Sequence, residues 1–307
     1  MSDALRGHLA MLAFSGLIAG SFALGALAAP HIAPAAMNAM RFVMAACVLG
    51  VWAVSRADIT RRDFEAPWRY LLLGGLLAGY FVLMFEALKT APPVSLSAVF
   101  TLSPILSGIA GYVLLRQVIT RRMGAALAVG AAGALWVIFR ADLAMLLEFR
   151  IGRGEVLFFW GCAAHAIYTP LVRKLNRAQS PVIMSFGTIA AAAVILAVLG
   201  ARDLAGMEWA AMPAIVWITL AYITVFATAL TIVLLQYASL KLPSAKVMAY
   251  TYLLPTWVIG WQAALGLPLP PAVVLAGVML TIAALVMLLK NEEVPVRARP
   301  STRNHSV

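Results

Sequence analysis

Two stretches decide the fold: SLSAVFTLSPILSG, Ser95–Gly108, and KVMAYTYLLPTWVIG, Lys246–Gly260. Each is long, apolar and helical in period, and each carries a proline inside it, Pro104 and Pro255. A proline in a helix removes a backbone donor and kinks the rod. If the surroundings are lipid, the carbonyl it strands must be satisfied by a neighbouring helix or by cavity water. Two such interruptions at one depth of two long apolar segments therefore point to an interior that is partly wet.

Working outward, composition names the solvent. Of 307 residues, 63% are hydrophobic and 11% charged, whereas a soluble domain carries about a quarter charged residues. A bilayer span needs about 20 mainly apolar residues. That ruler marks ten spans, at 9–28, 35–54, 69–88, 93–115, 123–139, 154–172, 181–199, 213–237, 244–265 and 271–289. The links 89–92, 238–243 and 266–270 are so short that they join antiparallel neighbours. The expected class is an all-α membrane protein. The first run is too long for a signal peptide's apolar core. The basic, Pro-containing tail 291–307 reads as disordered.

The net charge of +11 could point to nucleic acid, but its distribution does not. With the N-terminus in the cytoplasm, inner segments hold 17 Lys and Arg and outer segments hold Lys89, Arg140, Arg150, Arg153 and Arg202. Arg41 is left inside the second span. That bias places both termini in the cytoplasm. Cys47 and Cys162 fall inside spans and read as small apolar residues, not as a disulfide.

Shifting the sequence by 151 positions lays Pro104 on Pro255, Pro92 on Pro243 and Ala87 on Ala238. Earlier in the halves the offset falls to 141, which matches LIAGSFALG (17–25) with FFWGCAAHA (158–166). The halves are 1–150 and 151–290, five spans each. A repeat with an odd number of spans re-enters the membrane upside down, as in secondary transporters whose site lies at the repeat interface. Spans four and nine are thus expected to line a central wet cavity, with Pro104 and Pro255 as hinges.

Taken together, the small-residue AGSF (19–22), Arg41–Phe42 followed by Ala45 and Ala46, the two proline spans, the glycines of the fifth and tenth spans and WGCAAHAIYTPLVRKL (160–175) resemble EamA-type members of the drug/metabolite transporter superfamily. The resemblance covers about residues 9–289. There are departures: where the family often has a Glu after spans four and nine, this chain has Arg116 and LGLPLP (265–270). The resemblance implies a multi-pass protein of the bacterial inner membrane that exports metabolites, often amino acids, through a cavity walled by spans one, three, four, six, eight and nine. Aromatic amino-acid exporters of the YddG type are closest in length and in cavity aromatics. Arg41, at the family's recurring position, is implied to tie helices together at the outer side instead of touching substrate.

Ionisable groups within spans are costly and mark function by default. Glu86 reads either as a local ion pair with Lys89 or as a coupling carboxylate. His165 reads as a packed residue, a proton switch or a substrate contact, and no other histidine falls in the expected spans. Lys246 either snorkels to headgroups or meets a substrate carboxylate. Thr224, Thr228 and Thr231 form a polar stripe. Tyr80, Trp160, Tyr168, Tyr250 and Tyr252 offer rings for an apolar side chain and polar tips for a head group. Small pairs Gly16/Gly20, Ser21/Gly25 and Gly75/Gly79 allow close helix contact.

No metal-protease, Walker, C-x-x-C or nucleophile-elbow motif occurs. An enzyme is therefore not expected, nor are a cofactor, a metal, nucleic acid or an obligatory protein partner. The expected partners are lipid and a small-molecule substrate. A secondary exporter of small amphipathic metabolites, amino acids first and aromatic ones among them, is the leading reading. A passive facilitator, or an exporter of drugs or other metabolites, remains open at this point.

Overall fold

With no water in a bilayer to satisfy backbone N–H and C=O groups, an apolar chain of this kind has helix as its open-ended solution. The computed structural model describes residues 3–56, 60–139, 142, 144 and 151–289, and every regular element among them is helical. The first half holds α1 (Asp3–Ala28), α2 (Pro34–Arg56), a 3₁₀ turn at Arg61–Phe64, α3 (Trp68–Ala87), α4 (Pro93–Phe100), α5 (Ser103–Leu115) and α6 (Arg121–Ile138). The second holds α7 (Arg153–Leu175), α8 (Pro181–Ala205), a 3₁₀ turn at Trp209–Ala211, α9 (Ala214–Thr224), a π-helical segment (Val225–Leu230) and α10 (Thr231–Lys241). It closes with α11 (Ser244–Ala249), a 3₁₀ turn (Tyr250–Leu253), α12 (Leu254–Ala264) and α13 (Val274–Leu289).

Among the described residues, eight segments are long and apolar enough to cross a membrane, with α4–α5 and α9–α10 each counting as one. The expected ninth segment is interrupted and the tenth, α13, is shorter. The tail 291–307 and Arg140 and Arg150 lie outside the described residues. α1 begins earlier than the apolar count placed it, and this brings His8 into a helix beside His165 as a second helical histidine.

Local chemistry sets the ends. Pro34, Pro93 and Pro181 each open a helix, where the missing N–H would be unpaired in any case. Thr120 and Ser180 accept the N–H groups of Met123 and Ile183. α5 stops where Arg116 turns left-handed at φ 56°. The Arg116 and Gln117 N–H groups then return to Tyr112 and Gly111 at 2.9 and 3.2 Å, closing the helix as a Schellman turn.

Both proline segments are broken, and at matching points. Pro104 follows a turn at Thr101–Leu102, and Pro255 follows the 3₁₀ turn at Tyr250–Leu253. Neither runs at a lipid-facing rim before its break, since Val94–Phe100 and Ser244–Tyr252 are buried throughout.

The halves interleave. α2 packs most extensively on α8, α6 on α13, α3 on α7 and α1 on α10, so these helices find their main neighbours in the other half. The pairings are reciprocal by order within each half: the third segment of one packs on the first of the other, the second on the second, the fifth on the fifth. Small residues set the spacing. A Cβ built on Gly133 would lie 2.6 Å from the Gly277 carbonyl, and one on Gly277 2.7 Å from that of Gly133, so α6 and α13 touch backbone to backbone. Of the glycines singled out in the sequence, Gly20 does seat a partner, the Tyr222 ring, but Gly79 meets nothing within 4 Å. Pair spacing alone does not say which face meets a helix.

One end of the bundle is tied by polar contacts. Lys241 pairs with Asp3 at 2.6 Å, Gln117 accepts the Ser244 N–H at 3.1 Å, and buried Arg69 donates to the Leu175 carbonyl at 2.7 Å and to Gln179 at 3.2 Å. The other end carries the Glu86–Lys89 pair and a buried Glu155 that accepts from Ser95 at 2.8 Å.

Gly133→Leu is expected to lower the thermal midpoint in detergent, at a cost of about 1–3 kcal/mol from forced separation of α6 and α13. Gly124→Leu in the same helix, where a Cβ meets nothing within 4 Å, should leave it unchanged. Melting followed by size-exclusion or intrinsic fluorescence checks both.

Candidate functional site

The middle of the bundle is filled by rings. Tyr80 on α3 lies 4.6 Å from His165 on α7, 5.3 Å from Phe100 at the end of α4 and 5.7 Å from Phe158, centroid to centroid. His165 is also 5.2 Å from Phe100 and 5.9 Å from Tyr168. The interruption of the α4–α5 segment thus falls next to the histidine.

Polar atoms without partners gather in the same interior. Tyr80 Oη, His165 Nδ1, Gln236 Oε1, Thr224 Oγ1, Ser103 Oγ and Arg41 Nη1 are all buried and make no hydrogen bond to the described residues. Folded proteins leave few such atoms, and each one asks for a reason. Gln236 is half satisfied: its Nε2 donates to Tyr168 Oη at 2.9 Å and weakly to Thr188 Oγ1 at 3.4 Å.

A central cavity lies between α1, α3, α7, α8 and the π segment with α10, walled by Ile18, Phe81, His165, Thr228, Thr231 and Leu235 among others. Its volume is about 10 Å³, room for about one water and far below the several hundred Å³ of an occupied ligand pocket. Spans four and nine, expected to line a central cavity, do not wall this one, although Ser95 and Gln262 of those spans wall a second cavity. The Phe100, Phe158 and Tyr80 rings occupy the space beside it, and the α4–α5 break stands one ring behind the wall. A roomier cavity of about 290 Å³ opens toward the Glu86–Lys89 end, with Pro92, Ser95, Gln262, Pro268 and Pro270 in its wall and Gln262 Oε1 unpartnered.

The π segment shapes the cavity wall. Widening the helix over Val225–Leu230 releases backbone carbonyls, which in an apolar interior need donors. Arg41 on α2, fully buried, supplies them across the half boundary. Its Nη2 donates to the Ala227 carbonyl at 2.7 Å, and its Nε donates to Thr228 Oγ1. The Thr228 hydroxyl in turn donates to the Ile223 carbonyl at 2.6 Å. The Phe81 ring lies 3.9 Å from the guanidinium carbon, a cation–π contact. The helix tie expected of Arg41 is present, and its partner is a π turn that carries no glycine or proline to announce it in the sequence.

The other residues read from the sequence are dispersed. Thr228 and Thr231 reach the cavity, while Thr224, which precedes the π turn and so falls out of register with them, does not line it. Tyr250 Oη shares a hydrogen bond with His8 Nδ1 at 3.1 Å, toward α1. Tyr252 turns the other way: its ring sits over Gly130 of α6, and its carbonyl accepts from Thr281 of α13 at 2.9 Å. Lys246 is buried in α11 near the tied end. Trp160 stands on the outer surface, 63% exposed and edge-on to Phe159, because it falls on the face of α7 opposite Cys162 and His165. Glu86 is half-buried and paired with Lys89 at 3.0 Å, away from the centre. Among the described residues, no cluster of His, Cys, Asp and Glu could hold a metal.

A helical bundle with such a centre is the form of a membrane transporter. A sequence model of the EamA-like transporter family matches residues 5–139 and again 152–289, and the chain belongs to that family, a multi-pass transporter of the drug/metabolite superfamily. It is similar to the "Uncharacterized transporter YyaM" of Bacillus subtilis (strain 168), 22% identical over 283 residues that span 92% of this chain and 93% of the relative. A solved structure titled "Crystal structure of protein" shares the fold at a TM-score of 0.70 with 19% identity, covering 94% of this chain and 96% of that one.

Thr228→Val keeps the shape but removes the acceptor for the Arg41 Nε–H. It is expected to cost about 2 kcal/mol, because a buried charged donor loses its partner, and to lower the thermal midpoint. Thr231→Val breaks only a 3.5 Å contact to the Thr228 carbonyl and should cost less.

Proposed function

We propose that the protein is a secondary exporter of small amphipathic metabolites in the bacterial inner membrane, with amino acids, aromatic ones included, as its substrates. The observation that carries this reading is the convergence of rings and unpartnered polar atoms on a cavity between the two halves, next to the α4 interruption. Such a surface offers apolar faces to a side chain and single hydrogen bonds to a polar head. A closed centre with a wider cavity at one end fits a cycle in which the centre opens to one side at a time.

The cycle rests on an inverted repeat of five spans and five. The family model's two matches, the reciprocal packing of the halves and the interruptions at Pro104 and Pro255 support it. In this reading, ten crossings put both termini and the tied end in the cytoplasm. Arg61, Arg62, Arg69, Arg121, Arg122 and Lys174 cluster near that end, as the positive-inside rule asks. Pro104 and Pro255 act as hinges, and His165, a titratable group at the centre, couples transport to protons.

Exchange of labelled amino acids by the purified protein in proteoliposomes tests the reading. Phenylalanine, tyrosine and tryptophan are expected to exchange, and no exchange of any amino acid would remove the substrate class. Pro104→Ala and Pro255→Ala should each slow exchange roughly tenfold, about 1.4 kcal/mol of barrier, with ligand binding retained. His165→Ala should abolish uphill accumulation driven by a pH gradient and spare downhill exchange. Equal uphill accumulation in that variant would remove the coupling role.

A further inference from the structure

Arg41 is fully buried, and its partners among the described residues are neutral: the Thr228 hydroxyl, the Ala227 carbonyl and the rings of Phe81, Phe42 and Phe85. Its Nη1 makes no hydrogen bond among the described residues. Among the described residues no carboxylate forms a salt bridge with it. The buried described carboxylate, Glu155, is engaged by Ser95 at the far end of the bundle. Hydrogen bonds orient this charge, but no described residue neutralises it, and an uncompensated charge in such an interior is costly. Three of the groups packed on the guanidinium, Phe81, Ala227 and Thr228, are themselves walls of the central cavity. The charge therefore stands directly behind the cavity wall, with a free N–H pair.

We propose that Arg41 is the receptor for an anionic head of the transported solute, so that the solutes carried are carboxylates and amine analogues lacking that group are refused. The inference deepens the functional reading above and rests on it. In the closed state the Phe81 ring covers the guanidinium. A turn of that ring opens Nη1 to the cavity, and a carboxylate that enters accepts from Nη1 while Nε and Nη2 keep their hold on the π segment. The guanidinium fork suits this double duty, since its donors point in fixed and separate directions. Charge balance follows: the cation that α2 carries is neutralised only while solute is aboard.

Matched ligands test it on the full-length wild-type protein. Phenylalanine and 3-phenylpropionate keep the carboxylate, while phenethylamine keeps the ring and loses it. The acids should inhibit phenylalanine exchange and raise the thermal midpoint, and phenethylamine should bind about 100-fold more weakly, as expected when one partner of a buried charge pair is removed. Arg41→Gln should lower acid binding toward the amine's level, and Arg41→Lys should recover part of the preference. If Arg41 only ties helices, Arg41→Gln lowers the ligand-free midpoint and leaves the acid-to-amine ratio as it was, which overturns the proposal. Phenethylamine binding as well as phenylalanine to the wild type overturns it too, without touching the transporter reading. Should neither the acids nor any amino acid bind, both fall together.

Discussion

Among the contacts that join the halves, one clasp lies where the helix geometry is weakest. The π turn at Val225–Leu230 spoils its own hydrogen-bond ladder, and a bilayer interior offers no solvent to repair it. Arg41 repairs it from another helix, with two donors from one rigid plane and a ring laid over the open face. The position of α2 against the π segment, and with it the width of the cavity wall, depends on that contact. Lysine would be a poor substitute, because a flexible ammonium cannot present two donors at fixed angles.

Around the clasp, the fold keeps irregular backbone away from lipid. Both proline breaks sit in buried stretches, the turns that precede them are short and 3₁₀-like, and the Thr251 carbonyl that Pro255 strands accepts the Leu254 N–H instead. The aromatic centre then occupies what the breaks would otherwise leave hollow. Rings that fill space without taking up the hydrogen-bonding capacity of their neighbours leave the polar atoms free for a visitor, and a cavity of one water's volume means that the visitor must displace side chains to enter.

Much of the fold was legible because lipid imposes a length on helices. The expected spans agree with the helices to within a few residues at most ends, and Pro104 and Pro255 mark true interruptions. Proline alone did not guarantee this: Pro170 lies inside α7 without breaking it. The site was less legible. Tyr80, Tyr168, His165 and Thr228 do come to the interior, since each is polar in the middle of an apolar run. Trp160, Tyr250 and Tyr252 satisfy the same rule and point elsewhere, because a helix hydrophobic on all sides gives no periodic signal of which side faces the centre. The π turn left no trace, since VFATAL is an ordinary helical sequence, and the change of register that separates Thr224 from Thr228 went with it.

The helices are uneven in length. At 1.5 Å per residue, α8 with its 25 residues is about 37 Å long and α6 with its 18 about 27 Å. A hydrocarbon layer about 30 Å thick matches neither. α8 carries Arg202 and Asp203 in its last turns, which belong outside the hydrocarbon, while lipid beside the shorter α6 is expected to be drawn thin, so the collar of bilayer varies in height around the protein. Acyl-chain length thereby becomes a mechanical input, pressing on one flank of the bundle and relieving the other.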